Sequence, residues 1–111
     1  MTRREIENLN EAELVELATR EIALPVHGGA CQRMHCEWSP LTDYNDTMTI
    51  VQAMKAKGWH LVIDPRRSKP GEVEVAFVRN SGHGWGEIAS FECKQGSERD
   101  GILRAALLAE R

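Results

Sequence analysis

The chain has 111 residues, 41% hydrophobic and 28% charged, with a formal net charge of −3 and a pI near 5.8. That is the size and balance of a single globular domain, residues 1–111, neither disordered nor membrane-embedded, and its net negative charge gives no general attraction to nucleic acid or to an anionic membrane. The longest uncharged apolar stretch, Ala105–Ala109, is far short of the roughly 20 residues that span a bilayer, and Met1-Thr2-Arg3-Arg4-Glu5 lacks the apolar core of a secretion signal, so a cytoplasmic location is expected.

In that compartment the three cysteines, Cys31, Cys36 and Cys93, are expected to be reduced thiols. The first predicted helix starts near Glu11. Asn10 caps it, Glu13 stands three residues on in a variant of the capping box, and Leu9 and Leu14 are placed as a hydrophobic staple. Leu14, Leu17, Ala18 and Ile22 then share one helical face, with Glu13, Glu16, Arg20 and Glu21 largely off it. Pro25 limits the helix. His27-Gly28-Gly29 is a break, and Cys31–Glu37 shows no clean period; this region reads as a loop, with or without a short strand.

Pro40 disfavours helix in the residue before it, so the chain is extended through Ser39. Thr42 or Asp43 then caps a second helix, whose face is Met48, Val51 and Met54 with Ile50 or Thr47 beside it. Gly58 supplies a left-handed ending. Three strands follow. In the first, Leu61 and Ile63 alternate with His60 and Val62 until Asp64-Pro65; in the second, Val73, Val75 and Phe77 oppose Glu72, Glu74 and Ala76. The third runs around Trp85–Cys93, with Ala89, Phe91 and Cys93 on one face. Ser97 caps a last helix that carries Glu98 and Asp100 in its first turn. Ile102, Ala105, Ala106 and Ala109 line one side of it and Leu103 and Leu107 another. The order α-α-β-β-β-α makes an α+β domain, an antiparallel three-stranded meander with helices packed on at least one face. Val78 and Ile88 lend some apolar character to the second face.

His27, Cys31, His35 and Cys36 are zinc-ligand types. However, Cys31 and Cys36 enclose four residues and His35 adjoins Cys36, which matches no common ligand spacing. No metal and no cofactor are expected. The same four residues offer the types for a thiol nucleophile with a histidine base, but no spacing specifies a pairing. Asp43 and Asp46 sit where helix caps belong rather than as an acid/base pair. The glycines of Asn80–Gly86 lie between strands in no phosphate-cradling order. With no catalytic set, the candidates for contact are His83 and Trp85 at a turn, with Arg66 and Arg67 as a local basic group.

Trp38-Ser39-Pro40-Leu41-Thr42-Asp43, a helix ending at Gly58-Trp59, three strands and a closing Arg104-Ala105-Ala106-Leu107-Leu108 together resemble the phage ABA sandwich domain, a small family of bacteriophage and prophage proteins. The resemblance covers residues 38–108, with an echo of that family's N-terminal helix in Glu13–Ile22. It implies a three-layer α/β/α sandwich and a phage or prophage setting, hence the host cytoplasm, and it makes Trp38, Thr42 and Asp43 the opening of the second helix. The stretch from His27 to Cys36 departs from the family pattern. The resemblance brings no assigned biochemistry. The expected role is a non-enzymatic accessory protein that binds a host or phage protein. The alternatives are a small-ligand or nucleotide binder whose cleft includes His83, Trp85, Arg66 and Arg67, and a thiol or metal enzyme built on His27, Cys31, His35 and Cys36. Oligomeric state is left open, a homodimer included.

Overall fold

A computed structural model describes residues 2–23, 40–65, 69–80 and 86–110. Its first element, α1 (Arg3–Glu7), is a helix of little more than one turn, too short to show a period in the sequence. The Thr2 side chain caps it by accepting the Glu5 N–H, and its Ile6 is buried. In α2 (Glu11–Ala18) the expected capping box is complete: Asn10 Oδ1 accepts the Glu13 N–H at 2.9 Å, and Glu13 Oε1 accepts the Asn10 N–H at 3.2 Å. A π-helical turn, Thr19–Ala23, extends it. Leu14, Ala18 and Ile22 are all buried, so the predicted face is the packed one.

The next helix, α3 (Tyr44–Ala56), begins where Asp43 Oδ1 accepts the N–H groups of Asn45 and Asp46 at 2.8 and 3.2 Å. It ends in a paired reversal. The Gly58 N–H meets the Lys55 carbonyl at 2.9 Å and the Trp59 N–H meets the Met54 carbonyl at 3.0 Å, with Gly58 at φ +92°. Met54 and Trp59, both buried, supply the apolar contact that accompanies such an ending. The chain turns directly into the sheet.

β1 (His60–Pro65), β2 (Glu72–Asn80) and β3 (Gly86–Lys94) pair antiparallel in the order β1-β2-β3. The register sets Leu61, Phe77 and Ala89 in one row, Ile63, Val75 and Phe91 in the next, and Pro65, Val73 and Cys93 in a third, all on one face. The last helix, α4 (Glu98–Glu110), lies on that face so closely that a Cβ on Gly101 would stand 2.9 Å from Cys93 Sγ and 3.0 Å from Val75 Cγ2. Every residue from Gly101 to Leu108 is buried, because the sheet takes one side of α4 while α1, α2 and α3 take others. The α+β class and the α-α-β-β-β-α order of the longer elements therefore hold, with α1 added in front. The opposite face carries His60, Val78 and Ile88, then Val62, Ala76 and Ser90, then Asp64, Glu74 and Glu92. Ile88 is 68% exposed there and Val62 38%. The described residues build two of the three layers that the family resemblance implies.

One buried cation ties the two ends of this layer together. The Arg104 guanidinium donates to the Ile6 carbonyl at 2.6 Å, the Glu7 carbonyl at 3.2 Å and the Leu9 carbonyl at 2.8 Å, and grips Asp100 at 2.7 and 3.3 Å. The Ile6 and Glu7 carbonyls belong to the C-terminal end of α1 and that of Leu9 follows it, where helix geometry leaves acceptors short of partners and concentrates negative potential. Arginine's planar fork suits such a set better than a lysine ammonium does.

Candidate functional site

Where α3 and the start of α4 diverge above β1, they leave a cleft of about 740 Å³. Its position follows from local chemistry. The Asp43 cap starts α3 so that Tyr44, Thr47 and Met48 line one wall, and the alternation of β1 presents Leu61 and Ile63 from below. At the far wall the Ser97 carbonyl accepts the Gly101 N–H and Glu98 Oε2 accepts the Gly96 N–H at 2.9 Å, which fixes the first turn of α4. Arg99 Nη1 donates to the Thr42 carbonyl at 3.2 Å and joins the two walls. Thr47, buried, anchors the preceding segment by donating to the Pro40 carbonyl at 2.5 Å.

The floor is apolar, from Leu41, Met48, Leu61, Ile63 and Ile102, and Tyr44 stands 64% exposed at the lip. Among the described residues the rim carries the carboxylates of Glu11, Glu98 and Asp100, the last ion-paired with Arg104, and one guanidinium, Arg99, which is hydrogen-bonded to the Thr42 carbonyl. Among the described residues, the lining contains no histidine, cysteine or lysine. An apolar floor under a charged rim is the common make-up of a binding cleft.

Behind α4, the Cys93 thiol is pushed up to about 11 by burial and then by the nearby carboxylates of Glu98 and Asp100. A thiol held in its protonated form is a weak nucleophile, and its place on the packed face of β3 is the one the strand pattern predicts. Among the described residues no group of three or more histidine, cysteine or acidic side chains is placed to hold a metal ion.

The site residues expected from sequence divide unevenly over the structure. Thr42 and Asp43 stand at the end of the cleft, the one through its carbonyl and the other as the cap of α3. Trp38, Arg66, Arg67, His83 and Trp85 lie outside the described residues, as do His27, Cys31, His35 and Cys36. Trp59, at the other end of α3, is buried with the Arg79 guanidinium 4.4 Å from its ring centroid, and Arg79 in turn pairs with Glu87. That is a structural role. The sequence reading missed the cleft itself. Tyr44 and Met48 are one helical turn apart and Leu61 and Ile63 are two residues apart, each pair visible in its own period, but nothing local says that they meet Ile102.

Compared with family models, with curated proteins and with solved structures, the chain matches none. No helix among the described residues is long and apolar enough to cross a membrane.

Proposed function

We propose that this chain is a small phage or prophage accessory protein that acts without catalysis, by binding a segment of a host or phage protein in the cleft between α3 and α4. The phage setting rests on the family resemblance, carried here by Thr42-Asp43, Gly58-Trp59 and Arg104–Leu108. The binding role rests on one observation, the pairing of an apolar floor with a rim rich in carboxylates. The occupant that suits it is an apolar side chain flanked by lysine or arginine, since opposite charge at a rim steers association and an apolar anchor supplies most of the affinity. Nucleotide sequestration fits less well, because the rim carboxylates of Glu11 and Glu98 repel phosphate and Arg99, the rim cation among the described residues, is engaged.

The test begins with a partner captured from host or phage lysate and measures its affinity for Tyr44→Ala and Met48→Lys, each checked for folding. Both variants are expected to bind at least about tenfold more weakly. Full binding by both, with loss in Trp85→Ala, would move the contact to the turn that holds His83 and Trp85. Loss of all activity in a folded variant with Cys31 and Cys36 both changed to serine, with Tyr44→Ala unaffected, would refute the binding role.

A further inference from the structure

β1 is an edge strand, and among the described residues no strand pairs with its outer side. Such edges are commonly protected by lysine, by an early proline or by a bulge. This one reads His60-Leu61-Val62-Ile63-Asp64-Pro65, with proline only in last place and with Val62 and Ile63 38% and 42% exposed. The strand is also complementary to itself. When two copies are laid antiparallel about a two-fold axis through Val62, His60 of one copy falls opposite Asp64 of the other, Leu61 falls opposite Ile63, and Val62 meets Val62.

Residues directly opposite one another share a face of the sheet. The two His60–Asp64 pairs and the central valines therefore lie on the face opposite α3, and the Leu61–Ile63 pairs on the face that α3 covers. An imidazole N–H donates to a carboxylate in either protonation state of the ring, so the polar pairs do not depend on a charged histidine. A slip of two residues in one direction would set Val62 against Asp64, and in the other would set Val62 against His60. The matched register is thus distinguished from its neighbours on both sides. We propose that the chain forms a homodimer through antiparallel pairing of β1 with β1 of a second copy, which joins the two three-stranded sheets into one.

An interface centred on one short strand from each copy is smaller than that of a permanent dimer, so the association is expected to be concentration-dependent, on the order of micromolar. Sedimentation equilibrium of the full chain from about 1 µM to about 1 mM should show a monomer–dimer equilibrium. Asp64→Lys sets ammonium against imidazole at both polar pairs, and Val62→Lys sets two ammonium groups together on the axis. Each is expected to raise the dissociation constant at least about tenfold while circular dichroism stays unchanged. Combining His60→Asp with Asp64→Lys restores opposite charges only in this register, and should bring the constant back to within about threefold of the original. A chain that stays monomeric at the highest concentration overturns the proposal. So does a dimer indifferent to Asp64→Lys and Val62→Lys, or one that the paired exchange fails to restore.

Discussion

Replacing Arg104 by methionine keeps much of the side-chain volume on α4 and removes every hydrogen bond of the guanidinium. Left behind are the Ile6 carbonyl, whose bond is buried, the part-buried carbonyls of Glu7 and Leu9, and the Asp100 carboxylate. Hydrogen bonds to a charged donor contribute roughly 1.5–3 kcal/mol each, so three carbonyls set an upper bound of about 9 kcal/mol. That bound is never reached, because α1 can peel away and return its carbonyls to water. Detachment then exposes Ile6, only 1% exposed in the fold, which costs roughly 2–3 kcal/mol. It also leaves Asp100 without its partner, though at 28% side-chain exposure part of that loss is recovered from solvent. The expected cost is about 4 kcal/mol, a large part of the roughly 5–15 kcal/mol that holds a domain together. Arg104→Lys keeps a charge but cannot serve three acceptors and should lose about half as much. Denaturant melts give the stabilities, and hydrogen exchange gives the location: the amides of Ile6, Asn8 and Leu9, bonded in the native protein, should lose protection first. If Arg104→Met melts within about 1 kcal/mol of the native chain, or leaves those amides protected, the guanidinium is not what holds α1.

Gly58→Ala should destabilise by about 1 kcal/mol in the same melts, from positive φ alone, since the added Cβ would meet Arg79 Cδ no closer than 3.5 Å. Gly101→Ala is expected to destabilise too, by about 1 kcal/mol, because contacts of 2.9 Å to Cys93 Sγ and 3.0 Å to Val75 Cγ2 outweigh the gain in helix propensity; combined with Cys93→Ala the cost should shrink, and strict additivity in that cycle would refute the clash. Cys93, held protonated by the fold, favours folding below the ordinary thiol value of 9.0, and that contribution is lost as pH rises toward about 11. Stability should therefore fall across that window, and Cys93→Ala should flatten the fall; an identical pH profile for the two proteins would show that the thiol is not responsible.

What could be read from the residues alone was whatever is decided within a few positions along the chain. The Asn10–Glu13 box, the Asp43 cap, the Gly58 reversal and the Val73, Val75, Phe77 row are each local rules, and each appears in the structure. α1 escaped notice because its stability is borrowed from a guanidinium far along the chain rather than from its own short run of residues. Arg104 itself was legible as a landmark but not as a buried group, since a charged residue on a helix is ordinarily solvated. The cleft was illegible for a related reason: Tyr44, Ile63 and Ile102 come from three elements, and their meeting is a property of packing. On the second face Ile88 is exposed while Ala76 is buried.

The separations spanned by the guanidinium, 95 to 98 positions, bear on how the molecule comes into being. During synthesis, residues 6–9 emerge long before residue 104, so for most of translation the α1 carbonyls have only water or a chaperone to answer them. Local pieces such as α2 and α3 can flicker into helix on the ribosome, while closure waits for nearly the whole described span to be available. A nascent chain of this kind is vulnerable late and all at once, and a product truncated before Arg104 would leave its first helix unclaimed.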